Sequence, residues 1–396
     1  MSYLRTLYLR ADGQGKAEQN PSDCRRGMYR RVCDFVRTDA IEKMRRKVMK
    51  NAAEIDKNFH IEKRVLKDDL VYYNADDFDV YGVQHTDGLY RRMPDEYART
   101  VSENVGIIAK ECGGGRIRFV TDSPYVAIFV QYDAVAKVPN YAFTATMGFD
   151  LYAGDRYIGA FVPPMDAVDE YEGVLDIVGF DGAQTYTLNL PICSQIKEIR
   201  IGVKEGSVIT RASKYAIEKP IVFYGSSVTQ GACASRPGNT YANMISRELD
   251  CDYLNLGFWG NALGEERIAE YIAKLDMSAF VYDYDYNAPS TEHLRATHEK
   301  MFKIIRKAQP NLPIVILSAP KCYPTPVDEE RFQVIKTTYD HAIANGDKNI
   351  ALLSGAEIMS PIRGVALADN IHPADIGFFA MSQSICGVIK QMLHLE

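Results

Sequence analysis

The chain has 396 residues, of which 46% are hydrophobic and 25% charged, and its formal net charge is -6. These proportions are those of a globular protein and exclude a disordered or fibrous chain. A general nucleic-acid-binding protein usually carries a basic excess, so we expect no nucleic-acid partner. At roughly 150 residues per domain, the length predicts two domains.

Eight cysteines are spread along the chain without a CxxC pair, which argues against a zinc ribbon or a thioredoxin-like site. We expect free, mostly buried thiols rather than disulfides. The N-terminal segment holds no apolar stretch of the length that a secretory signal needs, and no run approaches the roughly 20 apolar residues of a membrane span. We therefore expect a cytoplasmic protein with no membrane partner.

Residues 1–67 differ in composition from the rest of the chain. They carry paired arginines at positions 25–26, 30–31 and 45–46 and little apolar periodicity before residue 39. A basic arm can bind nucleic acid or a membrane surface, but a solvated extension is the simpler interpretation. We predict an extension that is disordered or partly helical, with the helix at 39–56. A biological start at Met44 or Met49 stays open.

Residues 68–213 show short β-type runs separated by turn residues, which predicts an antiparallel β-sandwich domain. The triple glycine at 113–115 is interpreted as a hairpin turn rather than a phosphate loop, because no helix signal follows it. The predicted strands include 106–110, 116–120, 125–132, 149–154, 157–162, 185–190 and 196–203.

Residues 214–396 alternate strand and helix patterns after a predicted linker at 214–220. This order predicts a parallel sheet covered by helices on both faces, with the active residues on loops at one edge. The predicted strands are 221–224, 253–256, 280–284, 314–317 and 350–353, and the predicted helices are 240–249, 264–274, 290–308, 328–344 and 374–393.

The first strand of this second domain is followed by a candidate nucleophile. Gly225 ends the apolar run, and Ser227 can then present its hydroxyl at the carboxyl edge of the sheet, where open α/β folds bind ligands. Near the other end of the domain, Asp369 and His372 lie three positions apart before Pro373, which can begin the last helix. This spacing lets a carboxylate fix the imidazole while its other nitrogen faces the serine. Asp375 is an alternative carboxylate, but the spacing favours Asp369.

Four motifs in this order, GSSVTQG, NLGFWGNALGE, YDYN and DNIHP, resemble the sequence blocks of the GDSL/SGNH hydrolases. The resemblance covers about residues 219–396. It implies a flavodoxin-like α/β/α domain and a serine esterase or acylhydrolase with Ser227 as nucleophile, His372 as base and Asp369 as the orienting acid. It also implies an oxyanion hole made by the backbone N–H groups of Ser227 and Gly260 and the side chain of Asn287.

The motifs depart from the family pattern at three positions. Ser226 stands where the first block usually has Asp, and Asp285 and Ala288 stand where Gly and Asp usually flank the third-block Asn. No catalytic atom is lost, but Asn287 could instead be a turn residue. Trp259, the only tryptophan, lies beside Gly260 and either forms a pocket wall that stacks on a sugar ring or serves local packing.

A divalent metal site is the alternative interpretation of the acidic residues Asp283, Asp285, Glu265 and Glu266. A serine esterase needs no metal, so we expect neither a metal nor another cofactor.

The order of the two domains resembles carbohydrate esterases that remove acetyl groups from plant polysaccharides. It implies a small-molecule or oligosaccharide ester, first an acetylated sugar, as the substrate. Two alternatives stay open: a lipase, thioesterase or acyltransferase that uses the same triad, and a glycan-binding protein with an inactive SGNH domain. The sandwich either binds sugar or leans over the active site and shapes its entrance. The sequence leaves the oligomeric state open.

Overall fold

The computed structural model describes residues 52–167 and 169–395. Most of the predicted basic extension, with the predicted helix up to residue 51, lies outside the described residues. The chain divides into two compact units, 1–60 and 61–396. In the first unit the structure describes a helical turn, α1 (Ala52–Ile55), and a 3-10 turn at Lys57–Phe59 that is capped by the Asp56 carboxylate.

The N-terminal part of the second unit is an antiparallel β-sandwich. Its first sheet has the order β1-β11-β6-β9, and its second has the order β12-β5-β10-β7-β8 with β2 also on β5. The strands are β1 (Leu70–Asn74), β2 (Asp79–Tyr81), β3 (Gln84–Thr86), β4 (Leu89–Arg91), β5 (Arg116–Thr121), β6 (Tyr125–Ala134), β7 (Phe149–Ala153), β8 (Arg156–Phe161), β9 (Glu170–Asp176), β10 (Gln184–Asn189), β11 (Gln195–Lys204) and β12 (Ile209–Arg211).

Alternation of apolar and polar residues explains the sandwich. In β11, Ile199, Ile201 and Val203 are buried, while Arg200 and Lys204 on the opposite face are half-buried and exposed, respectively. The core between the sheets contains apolar side chains from both, including Phe119, Ile128, Leu151, Tyr171, Leu188 and Ile201.

One predicted strand is wrong, because residues 106–110 belong largely to a helix. Helices α2 (Asp95–Val101) and α3 (Glu103–Ile108) follow β4, and the Ser102 hydroxyl caps α3 by accepting the Val105 N–H at 3.1 Å. Val105 and Ile108, three positions apart, bury the same helix face in the core of the C-terminal sheet. Short apolar runs do not distinguish a strand from a buried helix by periodicity alone.

The triple glycine is not a hairpin turn, since it joins α3 to β5. Gly114 has φ +88°, and a Cβ on it would lie 2.7 Å from the Cβ of Asn255 in the C-terminal domain. Glycine is needed there because the turn packs directly on that neighbouring strand.

The C-terminal domain is a five-stranded parallel sheet with the order β14-β13-β15-β16-β17 and helices on both faces. The predicted fold class is therefore confirmed. The strands are β13 (Ile217–Gly225), β14 (Cys251–Gly257), β15 (Ala279–Asp283), β16 (Ile314–Leu317) and β17 (Ile350–Leu353). The helices are α5 (Ser227–Gln230), α6 (Tyr241–Leu249), α7 (Glu266–Ile272), α8 (Thr291–Ala308), α9 (Pro326–Ala344), α10 (Gly355–Met359) and α11 (Asp375–Leu393), with a further short α4 (Phe143–Thr146) in the sandwich domain.

Two details differ from expectation. Strand β13 begins at Ile217, inside the predicted linker at 214–220, because Ile217 pairs with Cys251 before a register shift. Helix α11 is long and apolar enough to cross a membrane by length and composition. One face of the helix is packed, because Phe378, Met381 and Ile385 are fully buried in the core beneath the sheet, while Ile376 and Phe379 are about half exposed.

Candidate active site

The proposed nucleophile lies where β13 turns into the short helix α5. A Cβ on Gly225 would overlap the Asp283 carboxylate and the Thr229 hydroxyl, so only glycine fits at the end of the strand. Ser226, the residue that departs from the family pattern, caps α5 by accepting the Val228 N–H at 3.2 Å. This turn leaves Ser227 partly exposed at the carboxyl edge of the sheet.

The structure brings the three predicted triad residues together. The Ser227 Oγ lies 2.9 Å from the His372 Nε2, and the His372 Nδ1 lies 2.8 Å from the Asp369 Oδ2. The other carboxylate oxygen, Asp369 Oδ1, accepts the backbone N–H groups of Ile371 and His372, both at 2.7 Å. This is the serine-imidazole-carboxylate geometry in which the imidazole can take the serine proton.

The charge of Asp369 is stabilised locally. Partial burial acts to raise the pKa of this carboxyl, but the hydrogen bonds from the His372 side chain and from the two backbone N–H groups lower it to about 2. The alternative carboxylate, Asp375, faces elsewhere, since it accepts hydrogen bonds from Ser235 N at 2.8 Å and Asn239 Nδ2 at 2.7 Å.

The expected oxyanion donors lie on loops that follow the ends of adjacent strands of the sheet. Gly225 pairs with Gly257 on one side and with Asp283 on the other, and Gly260 and Asn287 follow these partners within four residues. Gly260 has φ +69° and an exposed backbone. The Asn287 N–H closes a turn onto Tyr284 O at 2.9 Å, as the turn interpretation expected. Its buried Oδ1 has no hydrogen-bond partner among the described residues.

Trp259 is held by a residue of the sandwich domain that the sequence did not indicate. Its indole Nε1 donates to Glu111 Oε2 at 3.0 Å, and Gln230 Nε2 donates to the same carboxylate. Burial raises the pKa of Glu111 to about 7, against the effect of Arg92 and of these two hydrogen bonds. The tryptophan is nevertheless 44% exposed, so one part of the indole remains open to a ligand.

The acidic residues considered as a metal site each have their own protein partners. Asp283 accepts from Thr229, Asp285 Oδ2 accepts the Ala319 N–H at 3.0 Å, and Glu266 pairs with Lys300. Among residues 52–167 and 169–395, the one set of three possible metal ligands is Cys233, Asp369 and His372. Asp369 and His372 already form a hydrogen bond with each other in the triad, so this set of ligands belongs to the site described above.

Two family models match the chain. Residues 218–390 match the GDSL-like Lipase/Acylhydrolase family, and residues 70–209 match the domain GxDLY, described as the N-terminus of Esterase_SGNH_hydro-type proteins. The chain belongs to the GDSL/SGNH hydrolase family. It is therefore an enzyme of the esterase type. No curated protein matches the sequence.

Solved structures of the same two-domain architecture include three that span most of the chain. A protein from Bacteroides ovatus described as a GDSL-like lipase has a TM-score of 0.75 at 25% identity, covering 83% of this chain and 99% of that one. The salicylyl-acyltransferase SsfX3 from a tetracycline biosynthetic pathway has a TM-score of 0.65 at 21% identity, covering 81% and 96%. The acetyl xylan esterase Est2A from Butyrivibrio proteoclasticus has a TM-score of 0.54 at 12% identity, covering 82% and 99%.

The motif G-x-D-L-Y, which gives the N-terminal family model its name, occurs at Gly148-Phe149-Asp150-Leu151-Tyr152, at the start of β7. The fully buried Asp150 carboxylate accepts hydrogen bonds from Gly238 N at 2.8 Å and from Arg236 Nη1 at 3.0 Å. The Tyr152 hydroxyl accepts a further bond from Arg236. These residues therefore join the sandwich to the loop that follows the nucleophile helix.

Proposed function

We propose that this enzyme hydrolyses small acyl esters, with Ser227 as nucleophile, His372 as general base and Asp369 as the acid that orients the imidazole. The observation that carries the proposal is the pair of hydrogen bonds that links Ser227 to His372 at 2.9 Å and His372 to Asp369 at 2.8 Å. A weakly nucleophilic hydroxyl needs such an adjacent base, and the base needs a fixed orientation.

In the proposed reaction, His372 Nε2 removes the hydroxyl proton as Ser227 Oγ attacks the ester carbonyl. The negative oxygen of the tetrahedral intermediate is stabilised by the N–H groups of Ser227 and Gly260 and by the amide of Asn287. His372 then returns its proton to the leaving alcohol, which leaves an acyl-enzyme. Water activated by the same imidazole hydrolyses this intermediate and regenerates the serine.

We further propose an acetylated sugar or oligosaccharide as the substrate. The half-exposed indole of Trp259 lies one residue from Gly260, where it can stack on a sugar ring next to the reacting ester. The architecture is also that of a protein described as an acetyl xylan esterase. At 12% identity that likeness concerns the fold, so the exposed indole is the stronger argument.

An acyltransferase is the second candidate, because a protein described as a salicylyl-acyltransferase shares the whole two-domain architecture. The same triad would form the acyl-enzyme, and the acceptor of the acyl group would be an alcohol instead of water. The family match favours an enzyme over a glycan-binding protein with an inactive domain.

The test is acetate release from acetylated xylo-oligosaccharides, with 4-nitrophenyl acetate as a generic ester. The intact chain is compared with Ser227→Ala on both substrates. Loss of both activities in the variant supports the mechanism and the substrate class. Turnover of the generic ester alone would reject the sugar ester, and formation of an acylated product with added sugar in place of free acetate would favour the transferase.

A further inference from the structure

A loop of the sandwich domain, residues 137–146, which includes the helical turn α4, reaches the proposed triad. Its Asn140 Nδ2 donates a hydrogen bond to Asp369 Oδ2 at 2.6 Å, and its Tyr141 ring meets the His372 ring edge-on at a centroid distance of 5.8 Å. Because the contact is made to the acid of the triad, we propose that Asn140 is a positioning residue through which the sandwich domain completes the catalytic site. This inference rests on the proposed function of Asp369 and His372.

Asn140 differs from the other hydrogen-bond donors to the Asp369 carboxylate in its position along the chain. Oδ1 accepts the backbone N–H groups of Ile371 and His372, and Oδ2 accepts His372 Nδ1 at 2.8 Å. These three donors lie within three residues of Asp369, and the Cys233 thiol, 3.9 Å from Oδ2, belongs to the same domain. Asn140 is the donor that comes from the other domain, 229 positions earlier in the chain. The orientation of the carboxylate therefore depends on how the two domains are joined.

Asn140 is itself held against the segment that follows the nucleophile helix. Its backbone carbonyl accepts the Cys233 thiol at 3.3 Å, and Thr144 in the same loop donates to the carbonyl of Ser235. Cys233 has φ +69°, a left-handed conformation that is uncommon for a residue other than glycine. The loop is thus attached at Asn140 and again at Thr144, so the Asn140 amide is presented to Asp369 in a fixed position.

The chemistry of an amide suits this position. A neutral donor on Oδ2 fixes the plane of the carboxylate and makes that oxygen less basic, while the negative charge that stabilises the imidazolium remains. When His372 Nε2 takes the serine proton, the Nδ1 proton then stays on the imidazole. A negatively charged side chain at position 140 would instead add to the field that favours the protonated imidazole.

The other titratable groups near His372 and Asp369 do not change their charge near pH 7. These are Cys233, Tyr141 and Tyr286, which interact electrostatically with Asp369. Burial raises the pKa of Cys233 to about 12, and burial also raises the pKa of each tyrosine well above its usual value. All three are neutral near pH 7, so a change at position 140 acts on the His372–Asp369 pair.

The experiment compares Asn140→Ala and Asn140→Asp with the intact chain, and uses Lys137→Ala as the matched control. Lys137 lies in the same loop but its ammonium reaches the Met165 carbonyl, away from the triad. We expect Asn140→Ala to lower kcat for 4-nitrophenyl acetate by about tenfold at unchanged KM, the effect of losing one hydrogen bond to a charged group. We expect Asn140→Asp to move the acidic limb of the kcat/KM profile to higher pH.

A purely structural contact predicts a different pattern. It would lower the unfolding midpoint of both variants while leaving the acidic limb unchanged, and that result would overturn the inference. If the intact chain turns over the ester in a Ser227-dependent manner and both Asn140 variants behave as Lys137→Ala, the proposed function stands and the positioning role is rejected.

A titration of His372 by NMR gives a readout that does not require turnover. We expect its midpoint to rise in Asn140→Asp and to remain unchanged in Lys137→Ala. An unchanged midpoint in Asn140→Asp would reject the role of Asn140 even if the tested esters are not substrates. Failure of the proposed function gives a different result: the intact chain shows no ester turnover, or the turnover persists in Ser227→Ala.

Discussion

The buried carboxylate of Asp150 in the sandwich domain lies 3.0 Å from the guanidinium of Arg236 in the C-terminal domain. Asp150 is fully buried and Arg236 is largely so, with 20% of its side chain exposed. Burial raises the pKa of Asp150, against the hydrogen bonds from Asn189, Gly238 and Arg236. This pair therefore joins the two domains at the loop behind the nucleophile, and its loss is costly because an unpaired charge would remain buried.

Arg236→Ala should lower the free energy of unfolding by about 3 to 5 kcal/mol, the usual effect of removing one partner of a buried ion pair. Urea unfolding of the full chain measures it. The matched control is Arg267→Ala, which removes an exposed pair with Glu270 and should cost no more than about 1 kcal/mol. Equal losses in the two variants would mean that the interdomain pair contributes no more than a surface ion pair.

Asn287→Ala should lower kcat for 4-nitrophenyl acetate by about 100- to 1,000-fold while KM changes little, because an oxyanion donor acts mainly in the transition state. Steady-state kinetics and the unfolding midpoint are measured together. If Asn287 serves only the turn onto Tyr284, stability falls and kcat follows the folded fraction. The neighbouring exposed residue Pro289 provides the control, since Pro289→Ala alters the same loop without removing an amide donor.

Stability should fall as the pH rises from about 5 to about 8, because burial raises the pKa of several carboxyls, with Glu111 and Asp283 shifted furthest. Burial raises the pKa of Glu111 to about 7 and that of Asp283 to about 8. Between its ordinary and its raised value each group binds more protons in the folded state than in the unfolded state. The free energy of unfolding therefore decreases through this pH range and stays lower above it.

Glu111→Gln should remove part of this pH dependence, on the order of 1 to 3 kcal/mol between pH 5 and pH 8. The amide oxygen of glutamine can still accept the Trp259 indole N–H. Denaturant unfolding at several pH values tests the expectation, with the exposed Glu103→Gln as the control. The same slope of stability against pH in Glu111→Gln as in the intact chain would contradict it.

Trp259→Ala should raise KM for an acetylated xylo-oligosaccharide by about 3- to 10-fold, as expected from the loss of one stacking contact of about 0.5 to 1.5 kcal/mol. KM for 4-nitrophenyl acetate should change much less, since that ester has no sugar ring. Trp259→Phe keeps an aromatic face but loses the N–H to Glu111, so it separates stacking from the hydrogen bond. The same change in KM for both esters would assign Trp259 to local packing.

The fold class and the spacing of the triad were predictable because both depend on residues close together in sequence. Strand β13 and the glycine that ends it determine where Ser227 lies. The three-residue interval between Asp369 and His372 allows the carboxylate to accept hydrogen bonds from both the imidazole and the backbone N–H of His372. Helices α6, α8 and α11 were predicted within one residue at each end, since long apolar periodicity is a strong local signal.

The sequence alone did not reveal what the sandwich domain contributes to the site. Residues 103–108 form a helix because their apolar face packs on the C-terminal sheet, which a short run cannot indicate by itself. Glu111, Asn140 and Asp150 contact Trp259, Asp369 and Arg236, which lie 148, 229 and 86 positions later in the chain. Only the tertiary structure brings these partners within hydrogen-bonding distance, because the contacts form where the two domains pack together and leave no periodic signal in either segment.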